Sequence, residues 1–348
     1  MTKILRNKGD SRGVGFMQRF SIIIIWIMLI ALYAVMMPDT FATWLNVTTM
    51  LSSKAIMLVL ALALMVPMIG GDYDMSVAAL MTFSAMMVAV MNVWWGFPIW
   101  IAVLLAILIA GGVGAINGFL SAIVELNPFV ITMGMQTLLA GIVLLISDAM
   151  TITGIDQQLK TAVYTGRFLG VSYVFFYAIM LAAILFYFFT FTAAGRRVLI
   201  VGSGRNVARL SGINVKMVRF SCFVASGTLS GFAGVLYAGM LGAADPTSGL
   251  SYLMPAFAAV FLSTTVISPG QFNAWGCVIA VYFLVTGTTG LSLMGISAAV
   301  QNVFYGAALV VAVTSSELVK RNQSKSELKA ILAIEKAGQE GVSEKDIK

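Results

Sequence analysis

The chain reads as an all-α protein, a polytopic transmembrane bundle of about ten spans, and three observations carry that reading. Hydrophobic residues make up 60% of the sequence and charged residues only 10%. The mean hydropathy of +0.97 is far above that of a soluble domain. Apolar runs of roughly twenty residues recur along most of the chain, each long enough to cross the hydrocarbon layer as a helix. Residues 175–191 are apolar on every face, unlike the short alternating segments of a transmembrane barrel.

The spans are expected near residues 21–37, 55–69, 75–91, 98–116, 129–147 and 172–191, then 220–241, 253–267, 273–290 and 298–314. The first follows a basic stretch like a signal peptide, but it is longer than a signal core. It ends at Pro38-Asp39 without a small-residue cleavage pattern, so it reads as retained. Gly70-Gly71-Asp72-Tyr73-Asp74 separates the second and third runs with two glycines and two carboxylates. Trp94, Trp95 and Trp100 cluster at the next boundary, as interfacial anchors do. Between the sixth and seventh runs lies a long basic loop, residues 192–219, with Arg196, Arg197, Arg205, Arg209, Lys216 and Arg219 and no acidic residue.

Lys and Arg set orientation. Lys3, Arg6, Lys8, Arg12 and Arg19 precede the first span, six basic residues lie in the loop, and seven lie in the tail after Thr314; only Lys54, Lys160 and Arg167 fall elsewhere. With six spans before the loop and four after it, all three basic regions share one side, and both termini are expected to be cytoplasmic. The organisation is then a segment at 1–20, a transmembrane domain at 21–315 containing the loop, and a tail at 316–348. In that tail Leu328, Ile331, Leu332 and Ile334 allow a short amphipathic helix or a solvated stretch.

Several function classes drop out. The net charge of +7 is concentrated at the loop and the N-terminal segment, which marks topology and anionic lipid rather than nucleic acid. The absence of histidine removes imidazole base chemistry and most zinc and haem sites, so no metal, cofactor or catalytic residue is expected. No Gly-Lys dipeptide occurs, so there is no Walker phosphate loop, and any nucleotide would be bound by another chain. Cys222 and Cys277 lie in or beside spans, where a structural disulfide is not expected.

The remaining motifs form an ordered series: Gly70-Gly71-Asp72-Tyr73-Asp74-Met75-Ser76-Val77; Asn117-Gly118; Asn127-Pro128-Phe129-Val130-Ile131-Thr132-Met133-Gly134; Gly195-Arg196-Arg197 through Gly202-Ser203-Gly204-Arg205-Asn206 to Leu210-Ser211-Gly212-Ile213; and Ser226-Gly227-Thr228-Leu229-Ser230-Gly231-Phe232-Ala233-Gly234. From about residue 49 to residue 315, this order resembles the membrane permease subunit of bacterial ABC importers for monosaccharides, which include ribose, galactose and autoinducer-2 permeases. The resemblance implies a subunit of the bacterial inner membrane that pairs with a second permease subunit, identical or paralogous. It also implies two cytoplasmic ATP-binding subunits and an extracytoplasmic binding protein that delivers cargo.

By that likeness residues 196–215 form a pair of short coupling helices, with Arg196, Arg197, Gly202, Arg205, Asn206, Arg209 and Gly212 as the contacting set. Gly195 is expected to end the long apolar helix and Gly212 the second short one. The same arginines also fit a purely topogenic loop. Two departures stand out. Asn206-Val207-Ala208-Arg209 matches the usual signature before Leu-Ser-Gly-Ile only in part, and residues 260–273 lack the glycine pair expected there.

Gly71, Asp72, Asp74, Asn117, Asn127, Thr132 and Gln136 are the candidates for the translocation path or a helix break. Asp72 and Asp74 fit either a polar turn facing the path or caps on the next helix. Asn117, Thr132, Gln136, Gln301 and Asn302 fit either hydrogen bonds to a sugar or bonds between helices. Gly114, Gly118, Gly227 and Gly231 have the spacing of closely approaching helices. A self-contained secondary transporter or channel is the reading from another class, and nucleosides or branched amino acids are the alternative cargo.

Overall fold

The computed structural model describes residues 8–316. In chain order its helices are α1 (Lys8–Met36), α2 (Trp44–Ser53), α3 (Ala55–Ile69), α4 (Val77–Ala89), α5 (Ile99–Gly118), α6 (Pro128–Ser147), α7 (Gln157–Lys160), α8 (Tyr173–Phe191), α9 (Ala193–Ser203), α10 (Arg205–Leu210), α11 (Val215–Leu241), α12 (Leu250–Ser263) and α13 (Ala274–Leu293). A last apolar helix, α14, covers Ala298–Ser316. Eight stretches are long and apolar enough to cross a membrane; Ile22–Met36 and Leu250–Ser263 are shorter. The expected all-α membrane bundle is therefore what the chain forms, with an apolar helix at each of the ten expected positions.

The boundaries differ from expectation where a charge lies inside a helix. The second span begins at Trp44 rather than residue 55, because α2 runs into α3 with a break only at Lys54. Thr43 caps its start by accepting from the Asn46 amide. The seventh begins at Val215, so Lys216 and Arg219 lie in α11 rather than in a loop. The tail helix expected around Leu328–Ile334 lies outside the described residues.

Every residue of α3 is buried, and most of α4 is too. A helix apolar on all faces must be covered on all faces, and these two form the centre of the bundle. Along α5, α6, α8 and α14 most apolar side chains stay on the outside, where lipid would solvate them. The long α11 crosses α5 with backbones nearly touching. A Cβ added at Gly227 would lie 2.6 Å from the Ala110 carbonyl oxygen, and one at Gly114 2.5 Å from that of Phe223. The spacing of small residues thus marks one interface, which Gly118 and Gly231 extend against Phe220 and Ala110.

Two short ribbons, β1 (Ile152–Thr153) with β4 (Ala243–Ala244) and β2 (Arg167–Phe168) with β3 (Val171–Ser172), close the end of the bundle opposite the basic segment. Trp94, Trp95 and Trp100 are exposed at that end, and Trp100 donates to Gln158. At the basic end, the glycine-poor connection after α12 is held by a side chain. Asn273 Nδ2 donates to the carbonyls of Ser263 and Val266 at 2.9 and 3.0 Å, while its Oδ1 caps α13. Ile267 takes a φ of +65° in this turn, a conformation unfavourable for a β-branched residue.

Candidate functional site

The turn between α3 and α4 gathers most of the predicted polar residues. Gly71 takes a φ of +83°, which lets the chain reverse immediately after α3. The next residue, Asp72, is met by two arginines from the far half of the sequence. Arg219 donates from Nε to Oδ2 at 2.6 Å and from Nη2 to Oδ1 at 2.9 Å. Its Nη2 also donates to the Ser121 carbonyl at 3.1 Å. That carbonyl lies where α5 loosens into a π turn, Phe119–Ile123, so the guanidinium serves the frayed end of one helix and the turn of another.

Arg205, the first residue of α10, places a single nitrogen, Nη2, on Asp72 Oδ1 at 2.8 Å and on the Gly71 carbonyl at 3.0 Å. The two contacts are energetically unequal. The Arg219 and Asp72 side chains are 7% and 3% exposed, and removing one partner of such a buried pair costs about 3–5 kcal/mol. The Arg205 side chain is 44% exposed, and exposed pairs contribute roughly 0–1 kcal/mol.

Asp74, fully buried, has no cationic partner among the described residues. Its Oδ1 accepts from the Ser76 amide at 3.0 Å and the Ser76 hydroxyl at 2.6 Å, and its Oδ2 accepts from the Ser226 hydroxyl at 2.8 Å. Asn117 Nδ2 donates to Ser76 Oγ at 2.9 Å. Thr132 Oγ1 accepts from the Met75 amide at 3.0 Å and donates to the Pro128 carbonyl at 2.8 Å. Asp74 therefore braces Ser76, the residue before α4, and ties it to α11, while Asn117 and Thr132 bond across to that same connection from α5 and α6. Asp72 caps nothing and is a charged hub. Asn117 Oδ1, Ser121 Oγ and Ser230 Oγ are buried without a partner.

Asn127 stands apart, exposed, with its side chain capping α6 through the Phe129 amide. Gln136 is half-buried on α6 one turn beyond Thr132, and its side chain makes no hydrogen bond among the described residues. Gln301 donates to the Ile296 carbonyl at 3.4 Å, far from the turn in the fold.

The basic loop folds as two short helices. Thr192 ends α8 and caps α9, accepting from the Gly195 amide at 3.0 Å. Gly195 thus lies inside α9 rather than ending α8. Its lack of a side chain serves packing, because a Cβ there would run into the Phe188 carbonyl. Gly202 is placed in the same way, and a Cβ would strike the Ile69 carbonyl at the end of α3. Gly212 does end α10 as expected, with a φ of +77°. The Ile213 amide reaches back to the Ala208 carbonyl and the Gly212 amide to that of Arg209, each at 3.0 Å, the Schellman pattern.

Arg196, Arg197, Asn206 and Arg209 are exposed, and none forms an ion pair or side-chain hydrogen bond among the described residues. Beside them Val207 and Leu210 are uncovered, Leu210 at 89%. A groove of about 540 Å³ opens behind the pair, lined by Phe188, Arg197, Val198, Gly212, Asn214 and Met217. Lys216 donates to exposed Glu125 at 3.1 Å, which holds that carboxyl below the usual range.

Ser121 has no sequence signal, Arg219 reads only as a basic-loop residue, and Ser76 and Ser226 stand in the motifs without being candidates for the site. The available signal was for Arg219, an arginine beside Phe220 at the head of an apolar run, where only a paired charge is tolerated.

An all-helical bundle of this kind, with a broken-helix turn ionically tied to a protruding basic helix pair, defines a multi-pass membrane transport protein. Residues 46–313 match the family described as branched-chain amino acid transport system / permease component, and the chain belongs to it. The ribose import permease protein of Bacillus subtilis is 31% identical over 300 residues, covering 86% of this chain and 92% of that protein. The D-allose transport system permease protein of Escherichia coli is 27% identical over 306 residues, covering 88% and 94%. The galactose/methyl galactoside import permease protein of the same organism is 26% identical over 313 residues, covering 84% and 93%. No solved structure matches the chain.

Proposed function

We propose that this chain is the membrane-spanning permease subunit of an ATP-driven importer, forming the path for a monosaccharide or related polyol. The cargo class is supported by relatives whose names carry ribose, allose and galactose. The family is described by branched-chain amino acids instead, and competition for uptake by a pentose, a hexose and leucine separates these cargoes. In this reading ATP is hydrolysed on two cytoplasmic partner chains, a binding protein delivers cargo from the other face, and a second permease subunit completes the path. The basic end of the bundle, both termini and the α9–α10 pair face the cytoplasm, with residues 1–20 and 316–348 flanking the transmembrane domain. The chain itself needs no cofactor.

The observation that carries the reading is the exposed face of the helix pair. Arg196, Arg197, Asn206 and Arg209 are exposed and unpaired among the described residues, beside uncovered Val207 and Leu210. A solvated topogenic loop needs the arginines but not the apolar side chains among them. A groove on an ATPase with acidic edges fits both.

The test is co-purification in mild detergent with the cognate ATPase co-expressed, using wild type and an Arg209→Glu, Leu210→Glu variant. Neither residue has a side-chain partner in the bundle, so the fold is expected to persist. Recovery of the ATPase with wild type and its loss from the variant supports the reading. No nucleotide-binding partner with either protein favours a self-contained transporter. A second variant, Gly212→Val, places a β-branched residue at a left-handed φ with no new contact, a backbone penalty of about 1–2 kcal/mol confined to the end of α10. It is expected to insert normally while uptake per ATP hydrolysed falls; unchanged uptake stoichiometry counts against a coupling role for α10.

A further inference from the structure

We infer that Asp72 is the joint through which movement of the α9–α10 pair enters the bundle, and that Arg205 and Asp72 are positioning residues for transport. The inference rests on the permease reading above. Asp72 is shared by two arginines that belong to different bodies. Arg219 is part of α11, buried, and bound through two nitrogens; Arg205 opens α10, is half exposed, and is bound through one. If α10 swings away, Arg205 leaves and Asp72 keeps Arg219, so no buried charge is stranded. One contact can be made and broken in every cycle because the other never is.

The geometry also fixes what such a movement would shift. Both acceptors of Arg205 Nη2, the Gly71 carbonyl and Asp72, belong to the same turn. Two residues further on, Asp74 is anchored to Ser226 of α11. Tyr73 lies between the two carboxylates, exposed, with its ring stacked on Phe261 of α12 at 6.4 Å. Phe261 in turn meets Phe272 at 5.9 Å. The turn is thus fixed to α11 at both carboxylates and touched by α10 through Arg205 alone, so making or breaking that one contact bears on the aromatic stack that reaches α12 and the glycine-poor connection behind it. Aromatic bulk in that connection gives the turn something to push.

The contact pattern makes a sharp distinction between lysine substitutions. A lysine ammonium can replace the one nitrogen that Arg205 uses, but not the two-nitrogen fork and third bond of Arg219. The experiment uses the full complex, with ATPase subunits and binding protein, reconstituted in liposomes. Arg205→Gln is expected to retain its ATPase subunits, to lose stimulation of hydrolysis by cargo-loaded binding protein, and to import about tenfold less cargo, the size of an ordinary coupling free energy. Arg205→Lys is expected to restore stimulation and import, while Arg219→Lys restores neither. Wild-type stimulation in Arg205→Gln overturns the joint, and so does Arg205→Lys behaving like Arg205→Gln. Loss of the ATPase subunits from Arg205→Gln makes Arg205 a docking contact and also overturns it. If the wild-type chain binds no ATPase subunit, it is the permease reading itself that fails.

Discussion

Asp72→Ala is expected to be among the most damaging single substitutions in the chain, lowering stability by about 3–5 kcal/mol. Among the described residues Asp72 is the carboxylate that Arg219 pairs with, so the variant leaves a guanidinium that is 7% exposed with the Ser121 carbonyl as its remaining partner there. Thermal unfolding of the detergent-purified protein, read by loss of the monodisperse chromatographic peak, measures the effect. A second variant separates the stranded charge from the missing contacts. Asp72→Ala combined with Arg219→Leu removes both charges and puts an apolar side chain where the guanidinium lay, so most of the lost stability is expected to return. A double variant as unstable as the single one would show that the turn needs Asp72 for its own shape, not for its partner.

The same residues show where the sequence could be read and where it could not. Apolar runs fix the helices because only a helix satisfies its backbone in lipid, and the spacing of Gly114, Gly118, Gly227 and Gly231 marked a real interface. Lys54 hid the start of α2 because a charge between apolar runs reads as a loop, although here it occupies the joint between two helices. The different roles of Asp72 and Asp74 were not legible. They are two residues apart in one motif, and what distinguishes them lies 133 to 152 residues further along the chain, at Arg205, Arg219 and Ser226. Arg219 was counted with the basic loop for a related reason, since a positive charge near a span serves topology equally well whether it faces water or a buried carboxylate. Gly195 looks like a helix stop in sequence and proves to be a seat, as does Gly202, where one helix lies on the carbonyl of another.

Gly227→Val is expected to disrupt the packing of α11 on α5, with a loss at or above the roughly 3 kcal/mol upper end of ordinary overpacking. The reason lies in what the new side chain would meet. Its Cβ would stand 2.6 Å from the Ala110 carbonyl oxygen and 2.8 Å from the Gly114 Cα, both backbone atoms that no rotamer change can move aside. The helices must separate, and α11 is the helix that can least afford it. It carries Arg219 and Ser226, the partners of Asp72 and Asp74, within the three turns before and at Gly227. Separation of α11 from α5 also draws Arg219 from the Ser121 carbonyl, so the packing defect and the ionic defect are expected to arrive together. Gly112→Val on the outer side of α5 is the matched control, since a Cβ there meets nothing within 4 Å. Thermal stability and complex assembly near wild type for Gly112→Val, with both lost for Gly227→Val, would place the effect in helix approach. Equal losses in the two would instead show that helix approach is not the cause, because valine is intrinsically the better helix former of the pair.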